Sequence, residues 1–108
     1  MDFSGVRVET ARETALEYRP GEHVVVTVLH RERRLSVTDR GAGLRKAGSP
    51  PGWRDVAARI VRELDVNVTR RGEIWLPVVA VGPGLESVTD RVAAASQALY
   101  QDVLELQD

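Results

Sequence analysis

The sequence predicts one α+β domain over residues 1–108, a largely antiparallel sheet in β-β-β-α-β-β-α order with helices packed on it. Two β-branched runs, Val24–Leu29 and Leu35–Thr38, stand either side of the polar group His30–Arg33, which reads as a hairpin connection. Two later stretches, beginning at Trp53 and Leu85, repeat apolar residues at helical spacing. A chain of 108 residues, 43% hydrophobic and 29% charged, has the size and composition of a single folded core and excludes a disordered tail or a low-complexity fibre.

Val6–Thr10 alternates apolar and polar residues with the period of a half-buried strand, and Pro20-Gly21 marks a turn. Between them, Ala11–Tyr18 stays open between a helical turn, which Ala, Glu and Leu favour, and an extended hairpin arm. Val24–Leu29 is apolar on both faces, as expected of a central strand covered on each side or lying at an interface. Leu35 and Val37 share one face of the next strand, which Thr38-Asp39-Arg40-Gly41 closes. Asp39 reads there as a turn residue bonding nearby amides, and Gly41 as a residue able to take a positive φ.

After the breaker-rich loop Ala47–Gly52, residues Trp53, Val56, Ala57, Ile60, Val61 and Leu64 form one face of an amphipathic helix. Val66–Thr69 and Glu73–Leu76 flank Arg70-Arg71-Gly72 as a second hairpin. Pro77 ends that strand or places it at a sheet edge, and Val78–Val81 adds a short extended piece. Beyond Gly82-Pro83-Gly84, a capping-type Ser87-Val88-Thr89-Asp90 introduces a long helix. Its stripe is Leu85, Val88, Val92, Ala95, Leu99, Val103 and Leu106.

The run Glu22–Gly41, with its valine strand, polar hairpin and Leu35-Ser36-Val37-Thr38-Asp39-Arg40-Gly41, resembles the signature of DUF1828. In that bacterial and phage family of domains of unknown function, a strand ends in Leu-Thr-Asp-x-Gly and runs into helices. The likeness extends through the Trp53 helix, the Arg70-Arg71-Gly72 hairpin and the helix from Leu85. The chain differs in having Val37 where the family has Leu, in a proline-rich insertion before Trp53, and in showing no helix before Val6. The resemblance implies a bacterial or phage protein and carries no reaction with it. The order of elements is also similar to that of small secretion-chaperone-like domains, which bind protein segments on a sheet or helix face.

The chain has no cysteine, which excludes disulfides, thiolate metal sites and cysteine nucleophiles; together with the polar start Met1–Ser4 this points to a cytoplasmic protein. The longest nearly apolar stretch, Ile74–Leu85, is broken by two prolines and two glycines and falls short of the roughly 20 residues of a membrane span. His23 and His30 stand at an odd offset, so on one strand they face opposite sides and cannot chelate one metal. His30 and Asp39 are the one conceivable acid–base pair, and no serine or cysteine nucleophile motif accompanies them. Gly82-Pro83-Gly84 lacks both the Walker lysine and the GxGxxG pattern of phosphate loops. The expectation is a chain with no catalytic, cofactor or metal site.

The net charge of −1 hides an uneven distribution. Residues 1–30 carry three arginines against five acids, residues 31–71 ten arginines and Lys46 against five acids, and residues 72–108 only Arg91 against six acids. The doubly apolar strand and the terminal stripe offer more hydrophobic face than two helices cover. This points to a noncatalytic interaction module, homodimeric or bound to a protein partner, using the outer sheet surface around Val25, Thr27, Leu29 and Trp75. Trp75 is the interface tryptophan because it alternates with Ile74 and Leu76, whereas Trp53 begins a core stripe. The alternative is a nucleic-acid-binding regulator or a phage- or defence-associated component. Its basic patch would comprise Arg31, Arg33, Arg34, Arg54, Arg59, Arg62, Arg70 and Arg71, with tryptophans stacking on bases. An isoelectric point near 6.1, and an arginine excess that a GC-rich genome also produces, weigh against that alternative.

Overall fold

The computed structural model describes residues 7–79 and 81–107, so the expectations that fall on Met1–Ser4, Val6 and Ala80 lie outside the described residues. The elements are β1 (Arg7–Arg19), β2 (Glu22–Arg31), β3 (Arg34–Thr38), α1 (Ala42–Ala47), α2 (Trp53–Leu64), β4 (Asn67–Val68), β5 (Ile74–Val78) and α3 (Leu85–Glu105). The strands form one antiparallel sheet in the order β1-β2-β3-β5-β4. This is the expected α+β order with one addition, α1. Its six residues are too few to show a helical period in sequence, and left-handed glycines bound it, Gly41 at φ 74° and Gly48 at φ 92°.

Ala11–Tyr18 is extended. The pairs Ala11 with Thr27 and Glu13 with Val25 override the helix preference of Ala, Glu and Leu, because β2 offers a continuous ladder and this segment no apolar stripe. The ladder shifts register between Glu13 and Glu17. There the Thr14 hydroxyl donates to the Val24 carbonyl at 2.7 Å and His23 Nδ1 donates to the Thr14 carbonyl at 2.7 Å, so the backbone groups freed by the irregularity are bonded. Arg12, Glu13 and Arg19 line this long edge strand, charges of the kind that discourage unwanted strand pairing.

One face of the sheet is covered. Val24, Val26, Val37 and Ile74 are fully buried against the helices, with α3 supplying Val92, Leu99 and Val103. Val25, Thr27 and Leu29 point the other way, so among the described residues β2 is covered on one side only. Pro77 sits in an inner strand and not at the sheet's edge. Asp39 and Ile74 bond backbone to backbone, so even-numbered residues of β5 aim their polar groups at β3 and odd-numbered ones at β4. Since β4 pairs no further along β5 than Trp75, the missing amide of Pro77 faces a side with no partner strand.

At the N-terminus of α3 the capping residue is Gly84, with no side-chain cap bond; Ser87–Asp90 lies within the helix, and the capping reading of Ser87 is corrected. Leu106 likewise leaves the stripe: it is the C-cap and is exposed. α1 rests directly on α3 because Gly43 has no side chain. A Cβ there would stand 2.6 Å from the Ser96 carbonyl oxygen and 2.8 Å from Ser96 Oγ.

Because the obstruction at Gly43 is partly backbone, Gly43→Ala should lower stability by about 3 kcal/mol in urea denaturation. Gly21→Ala, with nothing within 4 Å of its Cβ but φ at 83°, should lose only about 1 kcal/mol through backbone strain. Equal losses for the two variants would refute the close approach of α1 to α3 as the cause.

Candidate functional site

Asp39 follows the last residue of β3 and turns its side chain under the helices, where it is 1% exposed. Oδ1 accepts the amide protons of Gly41 at 2.7 Å and Ile74 at 2.9 Å. Oδ2 accepts the Ser96 hydroxyl at 2.7 Å and the Gly43 amide at 3.4 Å. With the Ser96 proton directed at Asp39, the Tyr18 phenol donates to Ser96 Oγ at 2.7 Å. Burial pushes the Asp39 carboxyl above its ordinary value, against the opposing pull of its hydrogen bonds to Ser96, Ile74, Gly41 and Gly43. Burial also pushes the Tyr18 phenol up to about 12. The Tyr18 ring meets Tyr100 edge-on with centroids 5.3 Å apart, and Lys46 Nζ lies 5.5 Å over its centre while pairing with Glu22. The turn bond expected of Asp39 is present in the amide of Gly41, and the bonds to Ile74 and Ser96 are additional. The hydroxyl on the apolar stripe of α3 was the available clue, since a buried Ser needs a partner.

His30 is exposed and lies opposite Leu35, four residues along β3 from Asp39, so the fold does not bring the two together. Among the described residues no group of three or more His, Asp or Glu side chains is arranged to hold a metal.

The cross-strand register decides where the outer surface lies. Thr27 stands opposite Thr38 and Thr38 opposite Trp75; Leu29 stands opposite Ser36 and Ser36 opposite Pro77. Partners in a ladder share a face, so Val25, Thr27, Leu29 and Trp75 lie together on the face turned away from the helices. Val25 is 42% exposed, and Thr27, Leu29 and Trp75 are half-buried. Arg40 reaches Glu9, which is opposite Leu29, while its amide donates to Thr38 Oγ1 at 3.0 Å. The Thr38 hydroxyl in turn donates to Glu73, which explains why Thr38 is buried on an otherwise open face.

The eight arginines of the basic middle do not form one patch. Arg31, Arg33 and Arg34 surround the β2–β3 turn, with Arg31 directly opposite Arg34, and Leu29, Arg31, Arg34 and Ser36 help line a cavity of about 450 Å³. Arg70 and Arg71 sit on the β4–β5 turn, at the other end of the sheet because β3 and β5 run antiparallel. Arg54 lies 4.7 Å over the Trp53 ring and joins Arg70 at a groove between α2 and β4. Arg59 pairs with Asp102 at 2.7 Å, and Arg62 is exposed further along α2. Arg71 faces a separate cavity with Arg40 and Arg45, two residues outside the expected set. Each hairpin turn keeps its own arginines together, and the run of β3 and of the helices after it parts one group from the next.

Comparison with protein-family models, curated proteins and solved structures gave no match to this chain.

A carboxyl raised on folding favours the folded state most when protonated. Its contribution is full below the unfolded value of 3.8 and is lost as pH rises through the folded value. The stability of the wild type relative to Asp39→Asn should therefore fall as pH is raised above about 4 and then level off, measured by urea denaturation across pH. A difference that stays flat or grows would contradict the burial argument. Asp39→Ala, which strands the Ile74 and Gly41 amides and the Ser96 hydroxyl, should cost about 3 kcal/mol or more.

Proposed function

We propose that the chain is a noncatalytic interaction module that self-associates through the open face of its sheet. Two copies pack Val25, Thr27, Leu29 and Trp75 against each other. The observation that carries this reading is the register, which gathers these residues with Pro77 on one helix-free face. Sheets pack face to face through such alternating apolar rows, about 10 Å apart. The face is also self-complementary in charge. Glu13 lies beside Val25 at one end and Arg31 and Arg34 lie at the other, so a two-fold arrangement brings acid to arginine. Like charges directly opposite in a ladder are unfavourable, and a partner's carboxylate relieves the Arg31–Arg34 pair.

The noncatalytic part of the reading is supported by Asp39, whose two oxygens are engaged by donors of its own chain in the core. A cytoplasmic setting and kinship with DUF1828 belong to the same proposal and rest on sequence. The nucleic-acid alternative has less behind it, because its arginines are dispersed over separate surfaces.

Light scattering of the purified chain from micromolar to millimolar concentration should show a dimer. Val25→Glu combined with Leu29→Glu should weaken that dimer about a hundredfold or more, because each buries a carboxylate in an apolar contact, while far-ultraviolet circular dichroism stays unchanged. A wild-type chain that is monomeric throughout, or a dimer indifferent to both substitutions, rejects the reading.

A further inference from the structure

We propose that the cavity between α1 and the β4–β5 turn is a binding site for a small organic phosphate monoester. It has a volume of about 550 Å³, within the usual range of small-molecule sites, and lies where β3 gives way to α1. Three arginines line it, Arg40, Arg45 and Arg71, with one acidic residue, Glu73. Glu73 is already engaged by the Thr38 hydroxyl, and Arg40 is held from behind by Glu9. Arg45 Nη1 donates to the Arg40 carbonyl at 2.9 Å, which fixes one edge of its guanidinium and leaves its other donors available. Among the described residues, the Arg71 side chain and the Ser49 hydroxyl have no hydrogen bond or ion pair.

Converging guanidinium groups repel one another unless an anion joins them, and their planar donor forks match phosphate oxygens. Arg40 is already paired with Glu9, so among the described residues Arg45 and Arg71 are the lining cations with no carboxylate partner of their own; a phosphate offers oxygens to both donor forks, whereas a monocarboxylate accepts only one fork in bidentate fashion. Leu44 supplies an apolar wall for the organic part of the ligand. The floor is fixed in advance: Asp39 holds the Gly41 amide from inside the core. Arg40 at φ 58° and Ser49 at φ 50° both keep a left-handed conformation that side chains resist, and strain of this kind is concentrated at binding sites.

The test is an amide-shift titration of the full ¹⁵N-labelled chain with phenyl phosphate, inorganic phosphate and chloride at matched ionic strength. Phenyl phosphate should produce saturable shifts at Gly48, Ser49, Arg71 and Glu73 and bind more tightly than inorganic phosphate. Arg45→Ala combined with Arg71→Ala should weaken binding about tenfold or more with the spectrum otherwise folded, and Glu73→Gln should strengthen it. Arg91→Ala, which removes a cation paired with Asp65 outside the cavity, should leave the affinity unchanged. Shifts that chloride reproduces, equal binding of the two phosphates, or an affinity indifferent to the loss of Arg45 and Arg71 would overturn the proposal. Binding at this cavity is read site by site, so it stands or falls separately from self-association.

Discussion

The Asp39 carboxylate ties α1 and α3, which no strand ladder reaches, to the sheet. It takes protons from the turn into α1, from β5 at a separation of 35 residues, and from α3 at 57; through Ser96 it also reaches Tyr18 of β1, 78 residues away from that serine. A buried polar network of this kind contributes little net stability while complete and is very costly when broken, which makes it a device for specifying one arrangement. A slip of β3 by one residue would swing Asp39 to the open face and strand the hydroxyls of Ser96 and Tyr18 in the core. A rotation of α3 would have the same effect. The network therefore fixes the register of the sheet and the roll of its principal helix together.

Both candidate surfaces are consequences of that fixed register. Thr38 faces the outer side beside Trp75 and Asp39 turns inward, while Arg40, in a left-handed turn past the end of β3, reaches Glu9 and the cavity at α1. The outer row of Val25, Thr27, Leu29 and Trp75 exists only because Thr27, Thr38 and Trp75 are rungs of one another. The cavity exists because α1 is drawn against α3, which the bare backbone of Gly43 permits.

Periodicity in the sequence is enough to place β2, β3 and both long helices, since each carries an apolar pattern long enough to have a phase, and the second hairpin is marked by its Arg70-Arg71-Gly72 turn. It is not enough for α1, which has six residues, or for Ala11–Tyr18, where local preference and the ladder of β2 disagree. The same distinction runs through the site. The bond from Asp39 to the Gly41 amide is local and legible, whereas its bonds to Ile74 and Ser96 depend on contacts distant in sequence. Alternation shows that Val25, Thr27 and Leu29 share a face, but the phase of Trp75 relative to them is set by two intervening registers. The arginines mislead for the converse reason: β3, α1 and α2 intervene between Arg34 and Arg70 and carry the chain to the other end of the sheet.

The uneven distribution of charge along the chain is largely resolved by folding. The basic middle meets the acidic ends in Arg40–Glu9, Lys46–Glu22 and Arg59–Asp102, and Arg91 of the acidic C-terminal third meets Asp65 of the middle. Such exposed pairs add little stability individually. Their consequence is geometric: among the described residues they leave without an ion pair the arginines of the β2–β3 turn, Arg45 and Arg71 at the α1 cavity, and Arg54, Arg62 and Arg70 by α2. The first two groups matter for the candidate surfaces. These two places lie at opposite ends of β3, so a partner on the outer face and an anion at the α1 cavity need not compete for space. Two contacts join them: Arg40 lines the cavity while bonded to Glu9 on the outer face, and Glu73 lines it while accepting the Thr38 hydroxyl beside Trp75. Any coupling between the two surfaces therefore has its shortest physical routes through that ion pair and the Glu73–Thr38 hydrogen bond.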